Sequence, residues 1–208
     1  MRILCGQSNK IWHYWSGKFP DKIGVLFGPS YLQKIHYWMP YALDNDAFIC
    51  WQKNKEWDEL KWLKMLEKVK MEKTKPLWVL IPDVVANREE TIRKWEKYSP
   101  IVKKLKIKTA FACQDGMTEK DIPKDADVIF IGGTTEWKMK TIPMWTANHP
   151  RVHVGRVNTI KRILECERYG VESVDGSGWF RDTADGKRIK SLELWLEGKI
   201  KNHPEFNF

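Results

Sequence analysis

The sequence predicts an α/β fold: a compact, modified (β/α)8 barrel of the TIM type, formed by one domain over residues 1–208. Three observations carry this reading. Short continuous apolar runs recur eight times, as parallel strands buried on both faces do. Each run ends in a small cluster of polar or glycine residues. Helix-period segments separate several of the runs, and alternating strands and helices define the α/β class. At 208 residues the chain is shorter than the ~250 typical of such barrels, so some connecting helices must be short or replaced by loops. An open doubly wound sheet is the alternative arrangement.

In chain order, Ile3-Leu4-Cys5 leads into Gly6-Gln7-Ser8-Asn9, and Ile23-Gly24-Val25-Leu26-Phe27 into Gly28-Pro29-Ser30. Tyr41-Ala42-Leu43 leads into Asp44-Asn45-Asp46, and Leu77-Trp78-Val79-Leu80-Ile81 into Pro82-Asp83. Ala110-Phe111-Ala112-Cys113 precedes Gln114-Asp115-Gly116, and Val128-Ile129-Phe130-Ile131 precedes Gly132-Gly133. The last two runs are Val152-His153-Val154 before Gly155-Arg156 and Val171-Glu172-Ser173-Val174 before Asp175-Gly176-Ser177-Gly178. Between them, residues 58–70 place Leu60, Trp62, Leu63, Leu66 and Val69 on one helical face, with Asp58 as N-cap. Residues 87–104 carry Ile92, Trp95 and Val102 near helical spacing, with Pro100 expected to interrupt the helix. Residues 159–169 carry Ile160, Ile163 and Leu164 and stop at Gly170; Ser191 is read as the cap of a last helix ending at Gly198.

A composition of 42% hydrophobic and 30% charged residues is globular and excludes disordered, collagenous and coiled-coil chains. No apolar run approaches a membrane span, and no signal-peptide core follows Met1, so a cytoplasmic protein without membrane contact is expected. Cys5, Cys50, Cys113 and Cys166 are far apart with no CxxC pair. That pattern fits reduced, buried thiols and gives no metal site and no cofactor. The net charge of +9 favours a polyanionic partner such as DNA. The basic residues Lys61, Lys64, Lys68, Lys70, Lys73 and Lys75, and Lys187, Arg188 and Lys190, are read as solvated faces, one of which could track a DNA backbone. No obligate protein partner is evident.

In a barrel, the clusters after the strands converge on one mouth, where active sites lie. The clusters Ala42-Leu43-Asp44-Asn45-Asp46-Ala47-Phe48, Ile81-Pro82-Asp83-Val84-Val85, Cys113-Gln114-Asp115-Gly116, Ile131-Gly132-Gly133, His153-Val154-Gly155-Arg156 and Gly170-Val171-Glu172-Ser173-Val174-Asp175 come in the order of the tRNA-guanine transglycosylase superfamily. The sequence resembles most its short DNA-acting branch, the phage-type deazaguanine DNA transglycosylases and related antiphage DNA glycosylases. The resemblance implies a modified (β/α)8 barrel acting on the N-glycosidic bond of a nucleotide in DNA. By it, Asp175 aligns with the nucleophile at the sugar C1′ and Asp44 with the aspartate of base contact and proton transfer. Asp83, Gln114, Gly132, Gly133 and Phe48 fall in the base pocket. The Cys-x-Cys-x-x-Cys zinc subdomain of the tRNA enzymes is absent, and Asn45-Asp46-Ala47-Phe48 and Gly176-Ser177-Gly178-Trp179 replace two of their motifs.

The chemistry is consistent with these residue types. Breaking a glycosidic bond passes through an oxocarbenium-like sugar, needing one carboxylate at C1′ and an acid for the departing base. Asp175 and Asp44 could supply both. Gly155, Arg156 and Ser177 offer a phosphate cradle after strands seven and eight, and Trp179 is either a wall of the base pocket or core. Asp115 and Asp46 are read as capping or orienting residues, His153 as a packed strand histidine, and Glu172 as surface or a partner of Arg156. Asp175 could instead form a simple turn with Gly176. The function expected is a DNA glycosylase that removes a flipped, modified base, as in antiphage defence. Base exchange inserting a deazaguanine, a catalytically inert nucleic-acid-binding protein, and a barrel enzyme for a phosphorylated metabolite are the alternatives.

Overall fold

The computed structural model describes residues 1–6, 10–180 and 186–200; Gln7, Ser8 and Asn9 of the first cluster lie outside them. The strands are β1 (Arg2–Cys5), β2 (Ile23–Phe27), β3 (Tyr41–Leu43), β4 (Val79–Leu80), β5 (Thr109–Cys113), β6 (Val128–Ile131), β7 (Val152–Val154) and β8 (Ser173–Asp175). They form a closed barrel in sequence order. All neighbours are parallel, and β8 closes on β1 with Leu4 opposite Asp175, so the open sheet is excluded. The helices are α1 (Lys10–Lys18), α2 (Ala47–Gln52), α3 (Glu59–Lys70), α4 (Arg88–Lys104), α5 (Thr135–Asn148), α6 (Ile160–Arg168) and α7 (Lys187–Leu196). The shortness of the chain is absorbed where expected: no helix lies between β2 and β3, and only the 3-10 turn Glu119–Asp121 joins β5 to β6.

Side chains of a strand alternate between its faces, and here the alternation sorts them into two cores. Ile3, Val25, Leu43, Val79, Phe111, Ile129, Val154 and Val174 pack outward against the helices. Leu4, Leu26, Ala42, Trp78, Leu80, Ala110, Ala112, Val128 and Phe130 fill the barrel interior. Trp78 is its largest occupant, edge-on to Phe130 at 6.0 Å and to His153 at 4.8 Å. Truncating such a residue to alanine costs about 3–5 kcal/mol. Continued two residues past Leu26, Ala42, Ala112, Phe130, His153 and Ser173, the inward positions are Gly28, Asp44, Gln114, Gly132, Gly155 and Asp175. The barrel's own pleat therefore aims these residues at the mouth.

Helix boundaries follow local chemistry. Asp58 caps α3, accepting from the Lys61 N–H at 2.9 Å, and Trp62, Met65, Leu66 and Val69 form its buried face. Leu60 is 68% exposed rather than part of that face, because it sits nearly half a turn away from Trp62. Pro100 does not interrupt α4, which runs unbroken to Lys104. Pro100 and Glu96, whose carbonyl loses its partner, are both exposed, so water satisfies that carbonyl, while Tyr98, Ser99 and Val102 bury the opposite face. Thr159 caps α6, accepting from the Arg162 N–H, and Gly170 follows it at φ 73°. Ser191 does not cap α7: the helix starts at Lys187 after Gly186, and the buried Ser191 hydroxyl donates to the Arg188 carbonyl at 2.8 Å. Gly198 stops α7 at φ 72° as expected.

All four cysteines are free, Cys50 half-buried and the others buried. Burial pushes the Cys166 thiol up to about 12. Among the described residues no helix is long and apolar enough to cross a membrane, and no cluster of metal-ligating side chains occurs. Glu172 pairs with Arg151, whose guanidinium grips it through two bonds of 2.7 and 2.8 Å. This corrects the pairing with Arg156, because Glu172 precedes β8 at the end opposite the mouth. Lys75 folds onto the carbonyls of Val69, Lys70 and Glu72 as a C-terminal cap of α3. The other basic residues of that segment, Lys61, Lys64, Lys68, Lys70 and Lys73, are exposed.

Candidate active site at the barrel mouth

A cavity of about 300 Å³ opens among the C-terminal ends of the strands. Asp44, Asp83 and Asp175 line it, with Gln114, Phe48 and Arg156, and Gly132, Gly133 and Gly155 keep its wall low. Of the residues read from the sequence as catalytic, base-binding or phosphate-binding, Ser177 and Trp179 are not on its wall. Trp179 is fully buried in the outer core. The turn carrying Ser177 is committed to Asn158, whose Oδ1 accepts from the Gly178 N–H at 2.7 Å. A Cβ at Gly178 would press to 2.7 Å on the same oxygen. Gly176, where a Cβ would meet Asn158 Oδ1 at 2.5 Å, and Gly178 both serve the close packing of this turn.

Asp175 ends β8 and points inward. Its Oδ2 accepts from His153 Nε2 at 3.0 Å, and its Oδ1 from the Arg156 backbone N–H at 3.1 Å. His153 is fully buried, as a packed histidine should be, and stacks on Phe130 at 4.8 Å. Its Nδ1 meets the Ser173 hydroxyl at 2.8 Å. With Nε2 donating and Nδ1 accepting from Ser173, one imidazole satisfies both partners. The imidazole thus orients Asp175, a role its strand position alone did not suggest.

Asp44 follows β3. Its Oδ1 accepts from the N–H groups of Asn45 at 2.6 Å and Asp46 at 3.2 Å. Burial, then the charges of Asp46 and Asp175, push its carboxyl up to about 7, against the two backbone hydrogen bonds. The mouth therefore holds one carboxyl, Asp44, that keeps its proton up to near neutrality, and a second, Asp175, held in place by two hydrogen bonds. A raised carboxyl in a cleft marks a candidate acid–base site.

Asp83 and Gln114 form one knot. Asp83 accepts from Asn45 Nδ2 and from Gln114 Nε2, both at 2.8 Å. Burial raises its carboxyl, and the Asn45 bond opposes the rise. Gln114 also donates to the Val84 carbonyl at 3.0 Å and lies 3.2 Å from the Thr91 hydroxyl, while its Oε1 accepts from the Ala86 N–H. Its amide is spent inside the protein. Gln114 is a wall that fixes Asp83 and the 84–86 turn, which corrects its reading as a direct base reader. Asn45, which sequence reasoning passed over, bridges Asp83 to the Ile81 carbonyl at 2.9 Å; the signal available was an amide side chain beside Asp44.

Arg156 has φ 59°, and Asp46 and Ala86 have φ 63° and 59°. Left-handed non-glycine residues cost about 1–2 kcal/mol each and collect at functional sites. In this conformation the Arg156 N–H turns back to Asp175. Its guanidinium lies 4.1 Å over the Phe48 ring and donates to the Gly133 carbonyl. Phe48 in turn stacks on Trp51 at 5.8 Å, and Trp51 is 58% exposed. Asp115 accepts from the backbone and hydroxyl of Thr134 at 2.7 and 2.6 Å, and Asp46 from the Ser30 N–H at 2.7 Å; both orient loops, as read from the sequence.

Fold and site together define a (β/α)8 barrel with a carboxylate-lined cavity on the face where barrel enzymes carry their active sites. No known protein family matches the sequence, and no curated protein matches it. Among solved structures, one described as "Native KDPGal structure" is similar, with 11% identity and a TM-score of 0.48 over 97% of this chain and 93% of that chain.

Proposed function

We propose that the protein is a DNA glycosylase that cleaves the N-glycosidic bond of a modified base flipped out of DNA. The observation that carries this reading is the pair of carboxyl groups, Asp175 and Asp44, facing one cavity with a planar stacking wall. In the proposed reaction Asp44 gives its proton to the base. The C1′–N bond breaks, and its electron pair leaves with the base. Asp175, oriented by His153 and the Arg156 N–H, stabilises the positive sugar. Water then bonds to C1′, and its proton passes to the Asp44 carboxylate, restoring the acid.

Phe48 and the Arg156 guanidinium suit a flat, electron-rich ring, and Trp51 at the rim suits the space a flipped nucleotide leaves. Asp83 and the Gly132-Gly133 backbone remain for the base edge. The net charge of +9 supports a polyanionic substrate. The test is incubation with DNAs from several sources, including phage DNA with hypermodified bases. Abasic sites and released bases, identified by mass spectrometry, are expected. Their absence from every DNA, with a flat dependence of DNA binding on salt, would favour a small phosphorylated substrate.

A further inference from the structure

A lysine is almost never fully buried without a partner. Lys138 on α5 is 1% exposed, the one buried lysine among the described residues. Its ammonium donates to the Gly155 carbonyl, which is its single hydrogen-bond acceptor among the described residues. The N–H of the same peptide group belongs to Arg156 and donates to Asp175 Oδ1 at 3.1 Å. One planar peptide therefore spans a buried cation and the carboxylate at the mouth, its oxygen toward Lys138 and its hydrogen toward Asp175.

That peptide has to be held in its orientation. Arg156 has φ 59°, a left-handed conformation that persists in a non-glycine residue only where the surroundings impose it. Turning the 155–156 peptide plane over would bring Arg156 to a negative φ and carry its N–H away from Asp175. The turn is anchored at both ends: the Gly155 N–H donates to the Ile131 carbonyl at 3.0 Å and the Val157 N–H to the Asp175 carbonyl at 2.6 Å. The plane between these anchors is what Lys138 and Asp175 pull from opposite sides. A charged donor makes a hydrogen bond roughly twice as strong as a neutral one, and a polarised carbonyl makes the N–H across the peptide a better donor. Burial, then the charge of Arg156, lower the ammonium to about 8; Asp175 and Cys166 oppose the shift and Arg162 adds to it. The side chain is thus still a cation at neutrality.

We propose that Lys138 is a positioning residue for Asp175: through the Gly155–Arg156 peptide it holds the N–H that fixes the carboxylate facing C1′. The assignment rests on the glycosidic reading above. Lys138 is not on the cavity wall, touches no substrate and transfers no proton. Its charge keeps the peptide turned and polarised, so that the carboxylate is in place before the sugar becomes positive. A direct charge effect would have the opposite sign, because a cation close to C1′ repels the positive sugar.

Two measurements test this without knowledge of the base. In the first, NMR signals of the Gly155 carbonyl carbon and the Arg156 amide are followed with pH. In the wild-type protein both should titrate near 8. Lys138→Met, uncharged and of similar length, should lose that step and keep any step near 7 from Asp44. In the second, affinities are measured for duplex and single-stranded DNA carrying one cationic azasugar abasic residue, a mimic of the positive sugar, and for the same DNA with a neutral tetrahydrofuran residue. The pH is about 6, where Asp44 and Lys138 are both protonated. The wild-type protein should prefer the cationic probe by at least ~10²-fold, as enzymes prefer transition-state analogues, and Asp175→Asn should lose the preference. Lys138→Met should lower it about fivefold or more, the scale of a lost charge-assisted hydrogen bond. Lys138→Gln, also uncharged, should do the same if the methionine variant does not fold. The preference is a ratio of two affinities, so a loss of folded protein cancels from it. If neither signal titrates near 8, or if the variants keep or exceed the wild-type preference, the role of Lys138 is overturned and the glycosidic reading stands. If the wild-type protein shows no preference, that reading is overturned and the assignment falls with it.

Discussion

His153 Nε2 and Asp175 Oδ2 stand 3.0 Å apart at the top of the barrel interior. The imidazole is itself pinned by Ser173, Phe130 and Trp78. Packing in the interior thereby sets the direction of a carboxylate at the mouth. A chain of contacts running up the barrel axis links stability to the geometry of the proposed reaction.

The first prediction concerns Asp175. Asp175→Asn keeps the shape and an acceptor for one donor but removes the charge. Base release should fall by at least ~10²–10³, the scale of losing one electrostatic stabiliser. DNA affinity should hold or rise slightly, since the lost charge repels phosphate. Near-wild-type release rates, measured under single turnover, would remove Asp175 from the reaction.

The second concerns Asp44 and pH. Its folded carboxyl titrates at about 7 against an ordinary 3.8. A raised carboxyl stabilises the fold fully below the unfolded value and loses that contribution as pH rises through the folded one. Wild-type stability from this group therefore declines between about 4 and about 7. Asp44→Asn escapes the decline, so its melting temperature should exceed wild type by at least about 3 °C at high pH and by less at low pH. Its activity should be low at both, and the wild-type rate should fall as pH rises through about 7. Equal melting shifts at both pH values would contradict the burial of a titrating group.

The third separates the backbone of Arg156 from its side chain. Arg156→Gly preserves the left-handed turn and the N–H to Asp175 but removes the guanidinium over Phe48. DNA binding should weaken uniformly across sequences, with the salt slope flattened by about one phosphate contact. Arg156→Ala keeps the backbone strain of about 1–2 kcal/mol that Arg156 already carries and should be less stable than the glycine variant, which relieves it. Matching melting curves for the two would show that the turn relaxes.

The fourth follows from the knot around Gln114. Gln114→Ala removes one of the two side-chain donors to the buried Asp83 carboxyl and leaves the Ala86 N–H without its acceptor. The cost should be about 1–3 kcal/mol, or about 2–12 °C in melting temperature for a chain of this size. Selectivity between bases should change less than stability. A change of base preference at full stability would restore Gln114 as a direct reader.

The barrel was legible because its strands are unbroken apolar runs, and a run such as Val128-Ile129-Phe130-Ile131 has few other structures open to it. Asp44 and Asp175 were legible because they follow such runs at inward parity. What escaped was set by contacts distant in sequence. Nothing beside Gln114 announces that Asp83, Val84 and Thr91 consume its amide. Trp179 reads equally as wall or core until α7 is placed over the turn that carries it. Pro100 breaks a local rule whose penalty vanishes on a wet helix face.

Closure through β8 and β1 gives the molecule a late step. Every other strand pair joins neighbours in sequence, whereas Leu4 meets Asp175 across nearly the whole chain. Bringing such distant segments together is the slow part of assembly. Asp175 takes its place in two steps: β7–β8 pairing brings His153 to it, and the seam sets it opposite Leu4. A nascent or partly opened chain thus carries the proposed acid, Asp44, without a seated partner for the sugar. The proposed chemistry would then begin only once the last strand is in place.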